Sequence, residues 1–229
     1  MLEVFRKEKG LEKNEHRDES ESAGQDGFDE PDWYDIGEEN PFNVPVLDIG
    51  RVTLNVVATT QEEWISENYL NSRSDDGRQY IGQEIPGGTQ IAANIRYPHN
   101  GEKLEGILSK AESMDVKWDI YAYGEWFYFV RSWTSELVYK VHYENTGSEL
   151  VLDCIVTKPD IDACLNIDEQ NIHSIILTHV FGRLWPYAIP EKIASGGTKE
   201  IAVYLFSYAG CKAVIAAHEN VLTIQRLDK

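Results

Sequence analysis

The clearest pattern in the chain is an alternation of apolar and polar positions across residues 117–156. A period of two residues is typical of β-strands, because successive side chains point to opposite faces of a sheet. Turn-forming residues at Gly124, at 134–135 and at 145–147 divide this stretch into four strands of about six to eight residues. The pattern therefore predicts an antiparallel meander.

Apolar residues at helical spacing predict helices on both sides of the meander. Thr60 and Glu63 have the spacing of a capping box, so we expect a short helix to begin at Gln61. The apolar residues of 101–114 recur at helical intervals and predict a second helix there. A third helix is expected over 168–184, and it should be largely buried because apolar residues occur nearly all round it.

The remaining stretches favour strands and loops. Residues 44–60 are rich in β-branched side chains and predict two strands or one bulged strand. Residues 72–88 are polar and rich in glycine, which is typical of an exposed loop. The runs 201–208 and 211–218 predict a closing hairpin, and 220–227 predicts a last strand. Together these patterns predict an α+β fold in which a largely antiparallel sheet is packed by two or three helices.

Charge divides the chain unevenly. The sequence has 39 Asp and Glu against 21 Lys and Arg, which gives a net charge of −18. Residues 1–40 hold 14 of the acidic and 5 of the basic residues. Because the polar stretch 8–30 cannot bury enough apolar surface to offset the entropy lost on ordering, we expect it to be mobile. The sequence therefore predicts an acidic, flexible N-terminal arm over 1–40 and a single α+β domain over 41–229.

Aromatic and apolar side chains interrupt the acidic sequence around the end of this arm. In one interpretation they fold back and clamp the arm to its own domain, which Pro41 and Pro45 favour because they lead directly into a strand-like run. In the other they form a peptide that docks on a basic groove of a partner. The residues concerned are Trp33, Tyr34, Ile36 and Phe42.

Composition and motif spacing exclude several classes of function. A strongly negative protein repels phosphate backbones and anionic lipids, so neither nucleic acid nor a membrane is an expected partner. The charged N-terminal residues do not resemble a signal peptide, and no apolar run is long enough to span a bilayer. The three cysteines and the glycine pairs lack the spacing of metal or cofactor sites, so no metal and no cofactor is predicted. The expected location is the cytoplasm.

The most specific prediction concerns the segment 126–143. A short turn centred on 134–135 places Arg131 opposite Val138, so that one face of the hairpin is apolar and points at the core. The opposite face then carries three large aromatic side chains beside three potential cations. The residues of this predicted site are Phe127, Phe129, Arg131, Trp133, Lys140 and His142.

Two interpretations of that face remain. In the first, a helix covers the aromatic rings and Arg131 pairs with Glu136, which makes the surface purely structural. In the second, the rings form a stacking floor, and Arg131 with Lys140 and His142 receives a phosphate or carboxylate.

These observations support two hypotheses for function. The first is an acidic interaction protein that binds a basic protein partner, as inhibitors and immunity proteins neutralise their targets. It accounts for the net charge and for the lack of catalytic motifs. The second is an enzyme or binding domain for a small anionic ligand over the aromatic hairpin face, with the loop 72–88 as a lid.

Overall fold

The structure is a computed structural model that describes residues 30–158 and 167–227. Its strands are β1 (Asp32–Tyr34), β2 (Val46–Asp48), β3 (Thr89–Pro98), β4 (Gly106–Ser109), β5 (Trp118–Tyr123), β6 (Trp126–Arg131), β7 (Leu137–Asn145), β8 (Glu149–Thr157), β9 (Tyr187–Ala188) and β10 (Ile215–Ala217). Its helices are α1 (Gly50–Thr53), α2 (Glu63–Ser72), α3 (Asp168–Ile175), α4 (Glu191–Ala194) and α5 (Thr198–Ala209). A 3-10 turn spans Arg78–Tyr80, and α3 continues into the π-helical turn Ile176–Val180.

Two sheets organise these elements. The larger is an antiparallel sheet of six strands in the order β3-β8-β7-β6-β5-β4. The predicted meander forms its centre, since β5 to β8 follow one another and pair in chain order. The smaller sheet has the order β1-β2-β10-β9 and is mixed, because β9 and β10 are parallel. The α+β prediction is confirmed.

Both faces of the large sheet are buried at its centre. One face packs on α3, α5 and the smaller sheet in the main core, which includes Trp118 and Phe129. The other face is covered by the loop 72–88, whose Tyr80 and Ile85 lie in a second apolar cluster. The loop is therefore partly a core element, where the sequence predicted an exposed one. Its approach requires glycine at Gly77, where φ is +88° and an added Cβ would overlap the Tyr121 ring.

The helix predicted over 101–114 is wrong. This stretch contains β4, an edge strand in which Ile107 pairs with Tyr121 of β5. Gly106 has a φ of +99°, which a right-handed helix does not allow. The apolar spacing that suggested a helix instead comes from Leu104 and Leu108, which pack against the main core from this edge.

The strand predicted over 201–208 is also wrong, because these residues form α5. The buried side chains of α5 recur at one helical face: Ile201, Ala202, Leu205, Phe206 and Ala209. Burial of this stripe against the sheet outweighs the β-propensity of the sequence. The partner run 211–218 contains the short strand β10, and in 220–227 Arg226 makes a single bridge to Phe42 in place of the predicted strand.

The stretch 44–60 forms one strand and one helical turn, where two strands or one bulged strand were predicted. After β2, the side chain of Asp48 accepts a hydrogen bond from the backbone N–H of Gly50 at 2.8 Å and starts α1. The hydroxyl of Thr53 then donates to the carbonyl of Ala213 at 2.6 Å, which fixes this turn against the neighbouring strand segment. The helix predicted from Gln61 is present as α2.

The last part of the predicted arm, residues 30–40, lies on the body of the protein. β1 pairs with β2, and the indole of Trp33 stacks on His218 with ring centroids 5.0 Å apart. The side-chain amide of Asn40 donates to the carbonyls of Tyr34 and Val44. These contacts fit the clamping interpretation, whereas the arm prediction for 1–29 falls outside the described residues. Within the described ranges, no helix has the length and apolar character to cross a membrane.

Candidate functional site

The register of the β6–β7 hairpin differs from the predicted one, and a β-bulge is the reason. Next to the turn, the N–H of Arg131 donates to the carbonyl of Glu136, and Val130 pairs with Leu137. The next pair is Phe129 with Tyr139, so Val138 is an extra residue on β7. A bulge of one residue moves every following side chain to the other face of the sheet.

The bulge separates the six residues of the predicted site. Phe127 and Phe129 are 3% and 0% exposed and lie in the main core with Tyr139. Lys140 and His142 lie on the opposite face, where Lys140 Nζ is 5.0 Å from the Trp126 ring centre. The predicted surface of three rings and three cations is therefore not assembled, and Trp126, which was expected in the core, is half-buried at this second face.

Arg131 and Trp133 remain together at the turn of the hairpin. The guanidinium of Arg131 donates to the carbonyls of Tyr208 at 2.7 Å and Ser207 at 3.1 Å, and it lies 4.6 Å over the Trp118 ring. These carbonyls belong to the last turn of α5, where an arginine satisfies free acceptors and the helix dipole. The salt bridge with Glu136, which belonged to the first of the two interpretations, is not formed, and Glu136 instead pairs with Lys158 at 2.9 Å.

Lys117 is the second cation at this end of the sheet. It directly precedes β5, and its side chain is buried, with the residue 8% exposed. The ammonium donates to the Met114 carbonyl at 2.9 Å and lies 4.1 Å from the Trp133 ring centre and 4.9 Å from that of Phe206. The pKa of Lys117 is lowered to about 8, chiefly by burial; the charge of Arg131 acts in the same direction, and that of Asp115 opposes the shift.

Gly210 brings α5 to Lys117. The glycine ends α5 with a φ of +68° and forms a bridge with Val116. An added Cβ there would overlap the backbone carbonyl of Asp115 and would lie 3.2 Å from Cγ of Lys117. The close approach of the two backbones therefore requires glycine, and it sets Phe206 and Ser207 beside the lysine.

These groups line a pocket of about 440 Å³, which we call the Lys117–Arg131 pocket. Its size lies within the range of small-molecule sites. Ring faces of Trp133 and Phe206 form apolar walls, and the two cations lie among them. The residues that line it are Ala58, Thr59, Lys117, Arg131, Trp133, Thr134, Glu136, Phe206 and Ser207.

The charges of the pocket favour an anion. Among the described residues, neither Lys117 nor Arg131 forms a salt bridge with a carboxylate. Of the two carboxylates nearby, Asp115 accepts a hydrogen bond from the N–H of Ala58 at 2.6 Å and raises the pKa of Lys117 through its charge, but forms no salt bridge with it, and Glu136 pairs with Lys158. A ligand anion can therefore approach both cations without breaking an existing ion pair.

Sequence reasoning found Arg131 and Trp133 but missed Lys117, Phe206 and Ser207. A signal for Lys117 was present, because it is the charged residue at the start of a strand whose other positions are mostly apolar or aromatic. The sequence pattern predicts a strand for Phe206 and Ser207, which lie on α5 in the structure. The contact of α5 with the hairpin also joins positions far apart in sequence. That contact has no local signature.

Comparisons with known proteins identify no relative of this chain. No protein-family model, no curated protein and no solved structure matches the chain. Across the part of the chain that the structure describes, no group of three or more His, Cys, Asp or Glu side chains could hold a metal ion. The function is therefore argued from the pocket and the surface of this chain alone.

Proposed function

We propose that this protein binds a small anionic molecule with a flat or apolar portion in the Lys117–Arg131 pocket. The observation that carries the proposal is the placement of two cations, neither in a salt bridge with a described carboxylate, between aromatic walls in a chain of net charge −18. A buried lysine or arginine has lost hydration that a carboxylate or phosphate partner can replace. Here the two cations line a pocket that a ligand can enter.

Burial of the two cations is the source of the electrostatic contribution to ligand affinity. Removing a cation from water is costly unless a partner compensates for the lost hydration, and the lowered pKa of Lys117 is a measure of that cost. A carboxylate or phosphate next to Lys117 and Arg131 supplies the missing partner. The rings of Trp133 and Phe206 can stack on an aromatic or planar body of the same molecule.

The substitution Lys117→Met is expected to weaken binding of an anionic aromatic probe by roughly 10- to 100-fold. This range follows from the loss of a hydrogen bond to a charged group, worth about 1.5–3 kcal/mol. Benzoate and phenyl phosphate are suitable probes, with benzamide as the neutral control, and titration calorimetry gives the dissociation constants. Binding should also weaken above about pH 8, because Lys117 then loses its proton.

The matched control is Lys103→Met, which removes the same charge from an exposed lysine paired with Glu105, outside the pocket. This variant should bind the probes as the unchanged protein does. Equal loss of affinity in both variants would show that net charge, and not the pocket, governs binding. Tight binding of benzamide would contradict an anion site.

A second candidate function is docking of a basic protein partner on an acidic edge. β1 is an edge strand that pairs with β2, and in the described residues no strand lies on its other side. Trp33 and Ile36 are 40% and 56% exposed there. The acidic edge consists of Asp32, Trp33, Asp35, Ile36, Glu38 and Glu39. An extended basic segment could add to this edge by backbone pairing, with charge steering its approach.

This second candidate predicts that an oligolysine peptide associates with the protein and that the association rate falls as salt is raised. Charges separated by more than about 8 Å are screened at physiological ionic strength, so steering is strongest at low salt. Stopped-flow measurement on the double variant Asp32→Asn, Asp35→Asn should give slower association than the unchanged chain. A rate that is insensitive to both salt and these substitutions would remove the acidic edge as the docking site.

A further inference from the structure

We propose that Lys117 is a nucleophile that forms an imine with the carbonyl carbon of an oxo acid bound in the Lys117–Arg131 pocket. This inference rests on the proposed function and deepens it by naming the substrate class. An oxo acid offers a carboxylate for Arg131 and, on the adjoining carbon, a carbonyl for the amine of Lys117.

The position of the amine is fixed before any ligand arrives. The Lys117 stem runs past Gly210, where even an added Cβ would lie 3.2 Å from its Cγ. Its Nζ is held by the Met114 carbonyl and by the ring faces of Trp133 and Phe206. Met114 itself is fixed, because its carbonyl also accepts the indole N–H of Trp133 at 2.7 Å. A lysine with so few accessible rotamers loses little entropy when it reacts.

The environment also favours the unprotonated amine. A surface lysine has a pKa of about 10.4, whereas that of Lys117 is lowered to about 8, chiefly by burial. The reactive fraction at neutral pH is therefore roughly 100-fold larger than for an exposed lysine. Amines activated by desolvation and by a neighbouring cation are the type that forms imines in enzymes.

The step balances without a further reactant. The lone pair of Lys117 Nζ attacks the carbonyl carbon, and the carbonyl π electrons move to oxygen, which takes up a proton. In the resulting carbinolamine the nitrogen gives one of its two protons to this oxygen, which leaves as water while the freed nitrogen electrons form the C=N bond. The products are one protonated imine and one water molecule for each amine, carbonyl and proton consumed.

The groups around Nζ suit the product as well as the amine. A protonated imine keeps a positive charge and one N–H bond, so the Met114 carbonyl can remain its acceptor. The rings of Trp133 and Phe206 continue to face a cation. Arg131 retains its two helix carbonyls while its remaining N–H groups are available to a carboxylate.

The test uses phenylglyoxylate with sodium borohydride, and mandelate as the matched molecule that lacks the carbonyl. Borohydride reduces an imine to a stable secondary amine, which intact-mass measurement and peptide mapping locate. We expect one adduct per chain, on Lys117, at roughly 100-fold higher yield than on any other lysine. Lys110 is the internal control, because its ammonium is held by Asp119 and Tyr121.

The variant Lys117→Arg keeps the charge but cannot form an imine, so it should give no adduct. An adduct spread over surface lysines, or one that persists in this variant, would overturn the inference. If mandelate binds and phenylglyoxylate gives no adduct on Lys117, the imine is excluded and the anion site stands. If neither molecule binds, the proposed function fails together with the imine. Mapping on the unchanged protein decides the matter even where the variant folds poorly.

Discussion

The substitution Phe129→Ala is expected to lower the free energy of unfolding by about 3–5 kcal/mol, the usual cost of truncating a buried aromatic side chain. Phe129 is fully buried in the main core, where its ring meets that of Tyr139 edge-on at 6.2 Å. The matched variant Trp126→Ala removes a larger ring from the same strand. Trp126 is half-buried at the second face, where it contacts Lys140 and His142 and packs against the edge of the second apolar cluster.

The Trp126 variant should therefore cost less, about 1–2 kcal/mol. Urea-induced unfolding of both variants gives the comparison directly. The register predicted from sequence places Trp126 in the core, and with the aromatic face open to a ligand it requires the opposite order, with Phe129 at the surface. A larger loss for Trp126→Ala would mean that the bulge at Val138 is misplaced and that the predicted aromatic face exists.

The meander could be predicted because its signal is local. Alternation of apolar residues and turn residues at 134–135 and 145–147 are properties of short segments, and they located β5 to β8. The bulge at Val138 could not be found in this way, because both faces of β6 are largely buried and both carry aromatic side chains. When neither face is polar, alternation does not reveal a shift of register.

The error at α5 has a different cause. Its apolar residues include β-branched and aromatic side chains, which favour strands by propensity. The helical spacing of Ile201, Leu205 and Phe206 was available in the sequence and should have outweighed that propensity. Correct assignment of α5 would have placed Phe206 on a helix, but its contact with Lys117 also depends on the backbone approach at Gly210.

The same contact explains why the sequence predicts only some of the residues of the Lys117–Arg131 pocket. Arg131 and Trp133 are neighbours in one hairpin, so a sequence argument could put them together. Lys117 joins them through sheet pairing, since Trp118 pairs with Arg131, and Phe206 joins them through tertiary packing. Contacts between residues that are distant in sequence cannot be predicted from the local pattern of apolar and polar positions.

Acidification below about pH 6.5 is expected to destabilise the protein through two buried histidines. Burial lowers the pKa of His173 to about 4 and that of His179 to about 3. His173 shares a hydrogen bond of 2.9 Å with the Tyr97 hydroxyl, while Nε2 of His179 is buried and has no hydrogen-bond partner among the described residues. A proton on His179 would add a charge to that position, near the positive Lys212.

The direction of the effect follows from proton binding in the two states. Unfolded histidines take up protons below about pH 6.5, whereas the folded ones stay neutral down to about 4 and 3. The unfolded chain therefore binds more protons across this window. The contribution of the two histidines to the free energy of unfolding is fully present above about pH 6.5 and is lost as the pH decreases. Each histidine contributes about 1.4 kcal/mol per pH unit, or nearly 3 kcal/mol per unit for both between pH 5.5 and about 4.5.

The variant His179→Phe isolates one of the two contributions. Phenylalanine cannot titrate, and Thr178, which contacts His179 Nδ1, keeps its hydrogen bonds to the Ser174 carbonyl and the Tyr187 hydroxyl. Denaturant unfolding at a series of pH values should give a slope reduced by about 1.4 kcal/mol per unit. The control Ile176→Val, on the same helical turn, should lower stability equally at every pH, because it removes only a methylene group. Carboxylates titrate alike in all three proteins, so an unchanged slope for His179→Phe would mean that this histidine is already protonated, or accessible to protons, in the folded state.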